Sequence, residues 1–84
     1  MNILEEAQKL VDGDRQTEYN SPSECLGKTA ELFNSVSNLN IKAQDVAIFN
    51  ICQKLARLSH THKRDTIVDI AGYLYILGDK LGVK

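Results

Sequence analysis

The chain has no tryptophan, a single proline, and aromatic residues at only 6% of its 84 positions. Sandwiches and barrels of short strands draw on aromatic and β-branched residues and on frequent turn breakers, so this composition favours helix. Positive charge is not in excess either: ten Lys and Arg stand against eleven Asp and Glu, a formal net charge of −1. Binding of a nucleic-acid polymer through its charged backbone is therefore not expected. No run approaches the ~20 apolar residues of a membrane-spanning helix, because Asp69, Gly72 and Asp79 interrupt the most apolar segment. Cysteine is limited to Cys25 and Cys52, and Met1-Asn2-Ile3-Leu4-Glu5-Glu6 has neither the basic start nor the apolar run of a signal peptide. Both features point to a reducing cytoplasm.

What is present is a helical pattern. With 43% hydrophobic and 25% charged residues, positions 1–84 read as one domain, since half this length could not close a core. A domain this small buries only ~60–65% of its unfolded surface, so a homo-oligomer is expected to cover some of the rest. Ile3, Leu4, Ala7, Leu10 and Val11 form the stripe of a short amphipathic first helix over 3–11. The polar stretch from Asp12 to Asn20 then reads as an ordered loop whose Gly13 can end the helix.

Ser21-Pro22-Ser23-Glu24 combines a Ser cap, Pro at the first helical position and Glu three residues after the cap, so a second helix starts at Pro22. It is expected to bury Cys25, Leu26, Ala30 and Phe33 and to end in the Ser and Asn cluster at 35–40. A third helix begins near Lys42 or Ala43, with Asp45 in its first turn. From Val46 to Leu58 it is apolar on most of its circumference, which reads as a central, buried helix with Cys52 in the core. After Ser59–Lys63 a fourth helix runs to about Leu81, with Ile67, Val68, Ile70, Ala71, Leu74 and Leu77 inward. The fold class is thus all-α, a four-helix antiparallel arrangement with a short first helix.

The short link after the third helix allows the register of helices three and four to be counted. Taking Thr61 as the centre, Lys54 lies seven residues before and Asp69 eight after, while Arg57 and Asp65 each lie four away. One use of these pairs is structural, as bridges that fix helix register. Another is a polar pocket in which Lys54 and Arg57 meet a phosphate, His62 donates to it, and Tyr73 or Tyr19 stacks on a base. Arg15 belongs to the same candidate set, and Asp65 and Asp69 would orient the cations. A third use is metal: Asp65 and Asp69, with Glu24 or Glu31, could hold Mg²⁺ against a nucleotide's phosphates. His60 and His62, two residues apart and with no cysteine near in sequence, form no recognisable zinc pattern.

Gly13-Asp14-Arg15…Tyr19-Asn20-Ser21-Pro22, Asp45-Val46-Ala47, Lys54-Leu55-Ala56-Arg57 and Asp65…Val68-Asp69-Ile70-Ala71-Gly72-Tyr73 resemble a family of short phage and prophage proteins. The likeness runs from Asp12 to Leu77 and is most specific at Val68–Tyr73. The family's Tyr-Gly-x-Pro reads Tyr19-Asn20-Ser21-Pro22 here. Such proteins are sometimes grouped with the MazG-like all-α nucleotide pyrophosphohydrolases, and that grouping implies a helical fold, oligomerisation and a nucleotide ligand. Catalytic members of the wider group carry Glu-Glu-x-x-Glu and Glu-x-x-Asp blocks, and this chain departs from both.

The expectation drawn from residues and resemblance together is a phage-encoded nucleotide-binding protein acting in the cytoplasm of an infected bacterium. It would sequester a small host nucleotide signal without catalysis and without a cofactor, countering host defence. The ligand set would be Arg15, Tyr19, Lys54, Arg57, His62, Asp65, Asp69 and Tyr73. One alternative is a Mg²⁺-dependent pyrophosphohydrolase with Glu24, Glu31, Asp65 and Asp69 as metal ligands. Another is an inhibitor of a host enzyme, bound through an exposed helix face, with the polar stripe purely structural.

Overall fold

A computed structural model describes residues 1–13 and 21–83. The described residues are all-helical, with no strand: α1 spans Ile3–Asp12, α2 Pro22–Ser37, α3 Ala43–His60 and α4 Arg64–Tyr75, and α4 continues into one π-helical turn over Ile76–Lys80. The loop expected between α1 and α2 lies, beyond Gly13, outside the described residues.

Local chemistry accounts for the helix ends. At α1 the Asn2 side chain accepts from the Glu5 backbone N–H at 2.8 Å, and the Glu5 carboxylate accepts from the Asn2 N–H at 3.5 Å. That reciprocal box satisfies two of the amides a helix start leaves without partners. Ser21 caps α2 by accepting from the Glu24 N–H at 3.3 Å, with Pro22 following where its missing N–H costs nothing. Asn38 ends α2 in the left-handed region at φ 60°, which Asn tolerates better than most residues. The link to α3 is then held by Asn34, whose side-chain amide donates to the Ile41 carbonyl and accepts from the Ile41 N–H, both at 2.9 Å. Asp45 accepts from the Lys42 N–H at 2.8 Å and so opens α3.

The core gathers around α4. Val68, Gly72 and Ile76 recur every four residues along it and are buried, facing a partner stripe of Ala7 and Val11 on α1. Leu26 and Ala30 of α2 and Val46 and Ala47 of α3 complete the buried set. α1 packs on α4, α4 on α3 and α3 on α2. At Gly72 a Cβ would meet Val11 Cγ2 at 3.5 Å, an ordinary contact, so the approach of α1 does not require glycine there. At Gly13 the situation is opposite, since a Cβ would lie 2.4 Å from the Lys9 carbonyl oxygen of the last α1 turn.

Several expectations are corrected. Helix α3 is not the buried centre: only Val46 and Ala47 are buried, while Ile48, Phe49 and Leu55 are 49%, 68% and 49% exposed. A helix apolar all round offers several faces, and the small core of one chain uses only one. Cys25 and Cys52 are both exposed free thiols rather than core residues, and Phe33, expected to be buried on α2, is 43% exposed. The fourth helix keeps its α-form only to Tyr75, and Ile67 and Leu74, expected inward, are exposed.

The π turn explains its own packing. Widening to i→i+5 bonding, as in Leu81 N–H to Ile76 O at 2.8 Å, stacks residues five apart. Lys80 Nζ therefore sits 5.4 Å from the Tyr75 ring centroid. Both reach Asp12 at the end of α1, Lys80 at 2.8 Å and the Tyr75 hydroxyl at 2.5 Å. At the opposite end of α1, Arg64 pairs with Glu6 and donates to the Met1 carbonyl at 3.3 Å. α1 is thus clasped to α4 at both ends.

The hydrogen bonds from Lys80 and then Tyr75 hold the Asp12 carboxyl below its usual range, while the bond to Asp12 raises both Tyr75 and Lys80. A lowered acid contributes its full stabilisation above its unfolded pKa of ~3.9 and loses it as pH falls through the folded value. The raised pair contributes fully below unfolded pKa values of ~10 and loses it as pH rises through the folded ones. The difference in urea midpoint between wild type and Asp12→Asn should therefore be flat from about pH 5 to 9 and shrink on both sides. A difference that grows in acid would contradict the clasp.

Glycine substitutions give a second check by thermal or chemical melting. Gly72→Ala should stabilise by about 0.5–1 kcal/mol through helix propensity, with no clash to offset it. Gly13→Ala should destabilise by about 1 kcal/mol or more, because the backbone must move.

Candidate functional site

Between α1, the start of α2 and α4 lies a cleft of about 480 Å³. Its first wall is Ala7, Leu10 and Val11 of α1, and the start of α2 adds Pro22, Cys25 and Leu26. The opposite wall is α4, through Val68, Asp69, Gly72, Tyr73 and Ile76. Helix α3 contributes a single residue, Lys54.

Lys54 Nζ lies 3.0 Å from Asp69 Oδ2, with the two side chains 22% and 43% exposed. This is the pairing that counting from Thr61 predicts. It makes a half-buried dipole in an otherwise apolar wall, with the Tyr73 ring on the same surface. Among the described residues lining the cleft, Lys54 is the only cation and Asp69 the only carboxylate.

Of the expected site residues, the structure brings together Lys54, Asp69 and Tyr73. Arg57 and Asp65 are exposed, outside the cleft lining, and form no ion pair among the described residues. Three residues along α3 is a turn of 300°, so Arg57 points about 60° away from Lys54's direction. His62 sits exposed in the three-residue link between α3 and α4. Arg15 and Tyr19 lie outside the described residues. Glu24 and Glu31 are both exposed on α2, Glu31 beside Lys28 at 3.6 Å. No three His, Cys, Asp or Glu side chains among the described residues converge as a metal site would require.

The apolar wall was the harder part to foresee. Leu10 and Cys25 belong to stripes that read as core, yet Leu10 is 44% exposed and Cys25 carries a free thiol at the cleft.

Comparison with known proteins follows this geometry. A family described as a domain of unknown function, DUF6378, matches residues 2–80. The chain belongs to this family. The chain is also similar to two phage proteins: the Gene 55 protein of Mycobacterium phage D29, 41% identical over 73 residues, and the Gene 55 protein of Mycobacterium phage L5, 33% identical over 79. These alignments take in 86% and 92% of this chain but 48% and 51% of the phage proteins, so the chain spans about half the length of the relatives it matches. No solved structure matches. A DUF6378 chain related to phage proteins agrees with the phage family that the motifs resemble. No helix among the described residues is long and apolar enough to cross a membrane.

The ion pair itself is modest. A double-mutant cycle of Lys54→Met and Asp69→Asn, read by urea denaturation, should return a coupling of about 0.2–1 kcal/mol, the range for pairs still in contact with water. Coupling of several kcal/mol would instead make the pair a principal support of the fold.

Proposed function

We propose that the cleft binds a small nucleotide and withholds it intact, the role expected of a phage protein that counters a host nucleotide signal. The observation that carries this reading is the Lys54–Asp69 pair, 3.0 Å apart in the wall of an apolar cleft with Tyr73 beside it. Apolar walls accept the faces of base and sugar, an aromatic ring stacks on the base, and a few polar groups fix orientation. Lys54 supplies a cation to a phosphate oxygen, and Asp69 accepts from a ribose hydroxyl or a base amine. The cleft takes its place within a four-helix antiparallel arrangement, a reading supported by the three-residue link and by the Lys54–Asp69 contact across α3 and α4.

The charge count narrows the ligand. One cation already beside a carboxylate offers little compensation to a polyphosphate, whose several charges would lose water on entry. A cyclic nucleotide or other phosphodiester, with one negative charge, suits the cleft better. The Mg²⁺-dependent alternative would need carboxylates converged on a metal held against the phosphates, and no three His, Cys, Asp or Glu side chains among the described residues converge so.

The test is native mass spectrometry and calorimetry with cyclic nucleotides, nucleoside monophosphates and triphosphates, each with and without Mg²⁺. Retention of an intact cyclic or monophosphate ligand, weakened about tenfold or more by Lys54→Met, is the expected result; loss of one charge-assisted hydrogen bond is worth about 1.5–3 kcal/mol. Cleavage that requires Mg²⁺ would replace this reading with the hydrolase. Absence of binding across the whole panel would leave the pair a structural bridge.

A further inference from the structure

Helix α3 carries a second surface that the cleft does not use. Ile48, Phe49, Cys52, Leu55 and Ala56 are all exposed, and at 100° per residue they fall within an arc of about 120°. Ile48, Cys52 and Leu55 follow the i, i+4, i+7 spacing of a helix–helix seam, and Phe49, Cys52 and Ala56 fill its flank. The stripe is none of the cleft lining. A contiguous apolar face of this kind on so small a chain marks an association surface.

The charges at its ends indicate what covers it. Asp45 stands on the stripe in the first turn of α3 and His60 at its edge in the last turn, whereas Arg57, also in the last turn, falls about 140° from the stripe's middle. None of the three forms an ion pair among the described residues. A second α3 laid antiparallel brings each Asp45 to the basic end of its partner and opposes the two helix dipoles. A parallel pairing would put like ends together. The midpoint between Asp45 and Ser59 is Cys52, so in this register Ile48 comes level with Ala56 and Phe49 with Leu55, apolar against apolar. The stripe is thus complementary to itself, as a two-fold interface must be.

We propose that two copies of this chain associate through the outward stripe of α3, with the helices antiparallel about a two-fold axis at Cys52. The pairing covers Phe49, the most exposed residue of that helix's apolar set. It also leaves both clefts open, because they lie on the far side of α3.

The experiment combines sedimentation velocity with oxidation by diamide, which takes up two electrons and two protons as two thiols join. Wild type should sediment at twice the chain mass, or at a multiple of that, and diamide should yield a covalent dimer. That crosslink should persist in Cys25→Ser and vanish in Cys52→Ser. Phe49→Glu should halve the sedimenting mass while circular dichroism keeps its helical signal. If Phe49→Glu does not fold, Ala56→Arg serves the same purpose, and the wild-type crosslink remains decisive. A wild-type monomer at tens of micromolar, a crosslink through Cys25, or a folded Phe49→Glu of unchanged mass would overturn the proposal. Because Phe49 and Cys52 are outside the cleft, nucleotide binding by the variants reports on the cleft separately.

Discussion

Contact between α1 and α4 is the constraint from which the rest follows. Val68, Gly72 and Ile76 are buried on one helix and Ala7 and Val11 on the other, with Gly72 beside Val11. Such contact suits a chain of 84 residues, which has little else to bury. The smallness of the chain limits the hydrophobic gain, so polar clasps at either end of α1, Arg64 with Glu6 and Lys80 with Asp12, hold the register. Ala7, Val11 and Gly72 also line the cleft.

The remaining apolar surface follows from the same shortage. Thirteen large hydrophobic side chains are exposed among the described residues, against eight buried hydrophobic ones. On α3 they form a stripe with acid at one end and base at the other, which suits a second copy. The molecule thereby separates its surfaces: one side of α3 lends Lys54 to the cleft, and the outer side is free for association. A ligand and a partner could be gained or lost independently on such a scaffold.

Local signals made the helix boundaries legible. Ser21-Pro22 and Asp45 mark starts through the amides they satisfy, and the short link after α3 makes Lys54–Asp69 countable from the sequence alone. Burial was less legible, because periodicity reveals an apolar face without telling whether this chain or another covers it. That is why α3, apolar on most sides, read as the central helix. Arg57 failed to join Lys54 because one turn is not a whole number of residues, and its side chain swings toward solvent. The Asp12–Tyr75–Lys80 cluster needed the π turn, whose five-residue stacking no pattern of the sequence announces. Similarity to the two phage Gene 55 proteins supports the phage kinship that the motifs suggested, and the chain spans about half of each.

The central claim is that the cleft between α1 and α4, and not the outer face of α3, receives a small nucleotide. Amide hydrogen exchange at single-residue resolution, with and without a saturating cyclic nucleotide, tests it most directly. The account predicts slower exchange along residues 7–11, 22–26 and 68–76, with the outer residues of α3 unchanged at constant protein concentration. Protection confined to residues 48–56, or none at any helix, would contradict it.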